Sequence, residues 1–232
     1  MDRHAIATIP RAGDVSLRER AVDPRSSALL VVDLQNGQCG TYARAEHLAR
    51  AGFYDRVQEV VVPAGRRLIH ACRAARAEVI YTVIESLTLD GRDRGLDHKI
   101  SGIFAAKGSW EAQVIEPLAP DDNDIVIPKT SSSLFNSTGF DHVLRNLGIE
   151  SLMVMGVVTD QCVETTVRDG CDHGYLMTLV EDGCAAWSPE RHAESLLGLK
   201  GYCRVRTSHQ LVAEIAANTG EDKPRPDEGP RS

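Results

Sequence analysis

The sequence predicts a single α/β domain, with a mostly parallel β-sheet and helices on both of its faces. Short apolar, β-branched runs recur along the chain and lack the polar alternation of a half-exposed strand, as in sheets covered on both sides. Amphipathic stretches separate these runs, which is the pattern of repeated βαβ units. A length of 232 residues is enough for one sizeable hydrophobic core and does not require a second domain.

Six runs are predicted to be strands, because all are short, apolar and mostly β-branched. They are 27–34 (SALLVVDL), 78–85 (EVIYTVIE), 124–129 (DIVIPK), 151–158 (SLMVMGVV), 175–182 (YLMTLVED) and 203–207 (CRVRT). Amphipathic spacing or capping residues predict helices at 56–75, 137–148, 160–174, 189–200 and 208–218. We expect an interruption of the first helix near Pro63, which lacks the N–H that a helix interior uses. A Ser/Thr N-cap is expected at the start of the second.

The predicted domain occupies residues 27–217. Residues 1–26 are polar and irregular and are expected to form an arm, whereas 218–232 are rich in Pro, Gly and charge and are expected to be disordered. No apolar run approaches the roughly 18 residues of a membrane span, and the N-terminus lacks the apolar core of a secretory signal. We therefore expect a cytoplasmic protein that does not bind membranes.

Charge and cysteine content argue against a nucleic-acid-binding protein and against a zinc or redox motif built from paired cysteines. A formal net charge of −7 is not that of a nucleic-acid-binding protein, which usually presents a basic patch. The six cysteines include no C-x-x-C pair, so a zinc ribbon or a thioredoxin motif is not expected. In a reducing compartment most of them should be free thiols.

Three reactive side chains stand at or just beyond the carboxyl ends of predicted strands. Asp33 is at the end of the first strand, Lys129 ends the third, and Cys162 follows the fourth at the start of a helix. Ligands of open parallel sheets bind beyond these strand ends. Each residue alone has a plainer explanation, as a cap, a surface charge or a small core residue, but the three together indicate a catalytic site.

The three residue types suit nucleophilic attack on a carbonyl carbon. A thiol is mostly protonated at neutral pH, and only the thiolate attacks well. The helix N-terminus and the Lys129 ammonium are expected to lower the pKa of Cys162. Asp33 would accept the thiol proton and return it to a leaving amine, while backbone N–H groups of the turn would bind the oxyanion.

At these residues the chain resembles the isochorismatase-like cysteine hydrolases, from about 27 to 215. The resemblance rests on ALLVVDLQN, on DIVIPKTSSSLFNSTGFDHVLRNLGI and above all on GVVTDQCVETTVRDGCDHGY. It implies a Rossmann-like six-stranded parallel sheet, a homodimer or homotetramer, and Asp33, Lys129 and Cys162 as the catalytic triad. It also implies a cis peptide between Val157 and Val158, with the backbone N–H groups of Val158 and Cys162 as the oxyanion hole.

Motifs within the family favour one branch. Metal-holding nicotinamidases carry an Asp-x-His soon after the catalytic aspartate, whereas GTYARAEHLARAGFYD offers only His47 and Asp55, so we expect no metal and no cofactor. The segment around KGSW resembles ureide-cleaving members, which act on ureidoacrylate, biuret or triuret. Some biuret-cleaving relatives place a lysine three residues after the catalytic one. Ser132 stands there in this chain, which favours a longer ureide such as triuret.

Candidate substrate contacts are residues expected near the triad, either in the sequence, at the same edge of the sheet or in the segment that covers the site. Gln35 and Asn36 follow the aspartate, Glu85 ends the second strand, Lys107 lies in an irregular stretch expected to cover the site, and Phe135 follows the lysine. Four of them have a structural alternative: a loop hydrogen bond for Gln35 and Asn36, a solvated strand end for Glu85 and core packing for Phe135.

The resulting hypothesis is a cofactor-free cysteine amidohydrolase that cleaves a terminal carbamoyl C–N bond of a small linear ureide. Alternatives on the same fold are a ureidoacrylate or N-carbamoyl amidohydrolase, a nicotinamidase and an isochorismatase. A non-catalytic binding protein on this scaffold is a further alternative.

Overall fold

The computed structural model describes residues 15–40 and 51–219, and in them it contains one six-stranded sheet. The strands are β1 (Ser27–Val32), β2 (Glu78–Ile84), β3 (Ile125–Lys129), β4 (Ser151–Val157), β5 (Leu176–Ala185) and β6 (Arg204–Arg206). Their order across the sheet is β3-β2-β1-β4-β5-β6, and every pairing between neighbours is parallel. The predicted fold class is confirmed.

Helices connect the strands. The α-helices in the described residues are Asn36–Cys39, Ala51–Arg56, Val62–Ala74, Leu96–Ile100, Leu134–Ser137, Phe140–Asn146, Glu164–Asp172, Pro189–Gly198 and Ser208–Asn218. Two π-helical turns, Val57–Val61 and Thr159–Val163, run directly into the α-helices that follow them. Short 3₁₀ turns lie at Val15–Glu19, Pro24–Ser26, Trp110–Ala112 and Glu116–Leu118.

The central strand β1 shows why both faces of the sheet are covered. All six of its residues are buried, and alternate side chains point to opposite faces because the strand repeats every two residues. Leu29 and Val31 belong to one core, together with apolar residues of the helices Val62–Ala74 and Ser208–Asn218. Leu30 and Val32 belong to a second core on the other face. The sheet is therefore the middle layer of three.

The structure differs from the sequence predictions at two helix positions. Pro63 does not interrupt its helix, because the chain widens into the π-helical turn Val57–Val61 just before it and then continues as α-helix. The helix predicted from 137 is divided into two: Ser133 caps the short helix Leu134–Ser137, and Phe140–Asn146 begins after Gly139. The expected Ser/Thr side chain still lies at the start of the second, because the Thr138 hydroxyl accepts from the Phe140 N–H at 3.1 Å.

The proposed ends of the domain lie partly outside the described residues. Of the predicted arm at 1–26, residues from 15 onward are described, and Val22 is tied to the last helix through its N–H to Glu214 and its carbonyl oxygen to Asn218. The predicted tail is described only as far as residue 219. No helix within the described ranges is long and apolar enough to cross a bilayer.

Candidate active site

Asp33 follows the last residue of β1 and is almost completely buried. Its backbone adopts φ = 53°, a left-handed conformation that Asp tolerates better than most residues. The Thr82 hydroxyl, on the neighbouring strand β2, donates to Asp33 Oδ1 at 2.8 Å, and the Asp33 N–H donates to the Thr82 carbonyl at 3.0 Å. These two bonds fix the carboxylate at the carboxyl edge of the sheet.

Lys129 reaches this carboxylate from two strands away. It ends β3, which is separated from β1 by β2, so the ammonium must span roughly 10 Å of sheet. Nζ lies 2.8 Å from Asp33 Oδ2 and donates to Cys162 Sγ at 3.3 Å and to the Ser131 carbonyl at 3.0 Å. The three predicted catalytic side chains therefore meet at one buried ammonium.

Cys162 lies in the π-helical turn after β4 and is 5% exposed. Burial and the nearby Asp33 carboxylate raise the pKa of this thiol to about 12, and the opposing effect of Lys129 is smaller. Burial is the largest effect on Lys129 and opposes its charge, but Asp33 and Cys162 together outweigh it, so the pKa of Lys129 is raised. The sequence-based expectation that the pKa of the thiol is lowered is wrong, because burial and the Asp33 carboxylate together outweigh the Lys129 ammonium.

The resting site is therefore an ion pair beside a neutral thiol. Attack by Cys162 requires its proton to leave, and Asp33 is the acceptor at hand. The peptide between Val157 and Val158 is cis, at the bond that the resemblance implied. Cys162 lies in the first turn of its helix, where backbone N–H groups lack an acceptor in the preceding turn.

A cavity of about 620 Å³ opens onto Cys162. Asp33 and Cys162 line it, and so do Val157 and Val158 on either side of the cis peptide. Tyr54, Phe104 and Trp187 provide aromatic walls, and the polar lining includes Gln38, Asp97, Glu111, Ser132, Gln161 and Arg191. The site thus combines a nucleophile with a pocket that can bind both polar and flat groups.

The sequence-family model of the isochorismatase domain matches residues 27–210, which is most of the chain. The chain belongs to the isochorismatase family. Members of this family are hydrolases that act on amide or related bonds, and so this chain is a hydrolase.

Solved structures agree with this assignment. A cysteine hydrolase from Pseudomonas syringae pv. phaseolicola is 27% identical, with a TM-score of 0.76 over 86% of this chain and 96% of its own. N-carbamoylsarcosine amidase from Thermoplasma acidophilum is also 27% identical, with a TM-score of 0.64 over 79% of this chain and 96% of its own. A putative isochorismatase-family hydrolase from Chromobacterium violaceum is 26% identical, with a TM-score of 0.65 over 85% of this chain and 97% of its own.

Near Asp33, the two residues predicted to contact the substrate are Gln35 and Asn36, and both instead bond to backbone groups of this hydrolase. The Gln35 side chain is buried, donates to the Ile84 and Glu111 carbonyls, each at 2.9 Å, and accepts from the Ile84 N–H at 2.6 Å. Asn36 donates through its side chain to the Trp110 carbonyl at 3.0 Å. These two amides join the strand ends to the loop beside the cavity.

The remaining predicted contacts lie apart from the cavity lining. Glu85 accepts a hydrogen bond from the Gly108 N–H at 2.6 Å, and Lys107 is exposed. Phe135 is buried in the second core, stacked on His173 with ring centroids 4.7 Å apart. The sequence-based roles of these residues in substrate binding remain predictions without a contact to the pocket.

Several residues at the site of this hydrolase were missed by sequence reasoning. Thr82, which orients Asp33, had a readable signal: it is the lone polar residue within the run VIYTVI of β2. Arg191 and Trp187 come from the segment after β5 and carried no such signal. Within the described ranges no three His, Cys, Asp or Glu side chains form a metal-ligand group, and His47 lies outside those ranges.

Proposed function

We propose that this protein is a cysteine amidohydrolase that cleaves the terminal carbamoyl C–N bond of a small linear ureide and releases ammonia. The observation that carries the proposal is the single buried ammonium of Lys129, which contacts both the Asp33 carboxylate and the Cys162 sulfur. This arrangement places a base next to a neutral thiol and keeps the charge of the site balanced while the proton moves.

The reaction follows from these contacts. Sγ of Cys162 attacks the terminal carbamoyl carbon as Asp33 takes the thiol proton, and Lys129 stabilises the anion that forms. Asp33 then gives the proton to the terminal nitrogen, the C–N bond breaks, and ammonia leaves an N-substituted thiocarbamate on the sulfur. Water, deprotonated by Asp33, attacks the thiocarbamate, and the proton returns to the sulfur as the carbamate departs.

The carbamoyl class is supported by the pocket and by a relative. A ureide offers several N–H donors and carbonyl acceptors, and the cavity presents carboxylate, amide and hydroxyl groups at Asp97, Gln161 and Ser132. Ser132 is small, which leaves room for a chain of several carbamoyl units; triuret is our first candidate, followed by biuret and ureidoacrylate. The name of the Thermoplasma relative indicates that it acts on a carbamoyl compound.

One observation favours a second candidate, an N-carbamoyl amino acid. Such a substrate carries a carboxylate, and the half-exposed Arg191 lines the cavity, paired with Asp160. Arg binds carboxylates in a planar, two-pronged geometry.

We also propose that the protein forms a homodimer or homotetramer and is located in the cytoplasm, as the sequence leads us to expect. Size-exclusion chromatography tests the assembly, and cell fractionation tests the location.

The test is ammonia release from triuret, biuret, ureidoacrylate, an N-carbamoyl amino acid and nicotinamide. Cys162→Ser should abolish release, whereas Cys171→Ser, a matched change at a partly exposed thiol outside the cavity, should leave it unchanged. Release from a carbamoyl compound with this pattern supports the proposal. Release from nicotinamide alone, or equal activity in Cys162→Ser, would overturn it.

A further inference from the structure

A chain of buried hydrogen bonds runs behind the nucleophile, outside the reacting groups. Thr159, the first residue of the π-helical turn that carries Cys162, is completely buried, and its Oγ1 lies 2.9 Å from His192 Nδ1. His192 belongs to the helix Pro189–Gly198 and is itself 8% exposed. Its second ring nitrogen, Nε2, lies 3.0 Å from Arg56 Nη2.

The direction of each bond follows from the chemistry of the partners. Arginine has only donors, so His192 Nε2 must be the unprotonated acceptor. The ring proton then sits on Nδ1 and is donated to the Thr159 hydroxyl. Burial, and then the charge of Arg56, lower the pKa of His192 to about 4, with Asp160 opposing them, so the ring is neutral at physiological pH.

Arg56 is held in turn by the sheet. Its Nε donates to the Cys184 carbonyl at 2.8 Å and its Nη2 to the Glu181 carbonyl at 2.9 Å, both on β5. A rigid strand is therefore connected, through one guanidinium and one imidazole, to the turn that follows the cis peptide. That turn contains Cys162 and directly follows Val158, and the placement of these two residues decides where an attacked carbonyl can bind.

We propose that His192 is a positioning residue, which in its Nδ1-protonated neutral form ties Thr159 at the start of the nucleophile-bearing turn to Arg56 on β5. It contacts no reacting atom and acts through Thr159. The inference rests on the proposed function insofar as Cys162 is the nucleophile, but it does not depend on which substrate is cleaved.

Two substitutions of His192 separate its two bonds. His192→Asn can keep a donor at the position of Nδ1 and loses the acceptor for Arg56, whereas His192→Gln can keep that acceptor and loses the donor to Thr159. Thr159→Val removes the hydroxyl with little change of shape. Thr178→Val is the matched control, since it removes a buried hydroxyl that accepts from Arg204 at 2.8 Å between β5 and β6.

The readout is the rate constant for acylation of Cys162 by p-nitrophenyl acetate, measured as a burst, together with kcat and KM for ammonia release. Displacement of a reacting group by about 1 Å costs on the order of a hundredfold in rate. We expect His192→Gln and Thr159→Val to slow acylation by about ten- to a hundredfold, with KM within about twofold. His192→Asn should also slow acylation by about ten- to a hundredfold, because it keeps the donor to Thr159 but breaks the same connection at its Arg56 end. The double variant His192→Gln/Thr159→Val should be no slower than the slower single variant, because both remove one interaction.

Specific results would overturn the proposal. One is that His192→Gln and Thr159→Val lose thermal stability but acylate as fast as Thr178→Val. The network would then support the fold without positioning the nucleophile. Another is His192→Asn acylating at the wild-type rate, which would show that the bond to Arg56 does not position the turn. If His192→Gln does not fold, Thr159→Val alone decides between these outcomes. A wild-type burst without ammonia release from any carbamoyl compound would reject the proposed substrate class and leave the His192 comparison intact.

Discussion

Replacing Asp33 by Asn should make Cys162 more reactive toward an alkylating agent while it abolishes hydrolysis. In the wild type the Asp33 carboxylate lies 2.8 Å from Nζ of Lys129 and helps raise the pKa of the thiol to about 12. Without that carboxylate, the ammonium 3.3 Å from the sulfur has no competing anion. Its attraction for a thiolate is about 5 kcal/mol at an effective dielectric constant of about 20, and about 1.4 kcal/mol corresponds to one pKa unit. The thiol pKa should therefore fall, which increases the thiolate fraction at neutral pH.

The assay is the alkylation of Cys162 by iodoacetamide at pH 7.5, followed by peptide mass spectrometry. We expect Asp33→Asn to accelerate it by about tenfold or more, a small part of the electrostatic effect calculated above. Cys171 in the same sample is the internal control, and its rate should not change. Ammonia release should fall by about 10²- to 10⁴-fold, since the base has been removed. Alkylation at the wild-type rate or slower, with hydrolysis retained, would refute the assignment of Asp33 as the proton acceptor.

Other perturbations test the framework of the site. Lys129→Met should cost about 3–5 kcal/mol in the free energy of unfolding by urea, because it leaves Asp33 buried without a counter-charge; a cost below about 1 kcal/mol would argue against the buried ion pair. Gln35→Leu should cost about 1–3 kcal/mol for each backbone group left unpaired, with KM within about twofold, and a large rise in KM would show substrate contact instead. Phe135→Ala should destabilise the fold by about 3–5 kcal/mol in the same titration, and a selective loss of kcat/KM in folded protein would contradict a core role. Dialysis against EDTA should leave ammonia release unchanged, whereas inactivation reversed by a divalent metal would indicate nicotinamidase-like chemistry.

The fold was predictable because strands buried on both faces have uninterrupted apolar runs. SALLVV of β1 and SLMVMGV of β4 are readable in this way, and the sheet brings Asp33 and Cys162 together once both strands are placed. The meeting of Lys129 with them needed only the rule that parallel strands share one carboxyl edge.

The rest of the site depends on packing between distant segments, which local patterns do not encode. Phe135 is near Lys129 in the sequence, but its ring turns into the core against His173. Arg191 and Trp187 reach the cavity from beyond β5. The pKa of the thiol was predicted in the wrong direction because the burial of Cys162, the largest cause of its raised pKa, depends on this packing between distant segments.

The most direct test of the central claim is a rapid acid quench during turnover of the preferred carbamoyl substrate, followed by peptide mass spectrometry. The mechanism predicts an adduct with the mass of the substrate less ammonia on the peptide that contains Cys162. None should form on the peptides of the other five cysteines. Ammonia release that continues in Cys162→Ser, with no adduct on Cys162 in the wild type, would contradict it.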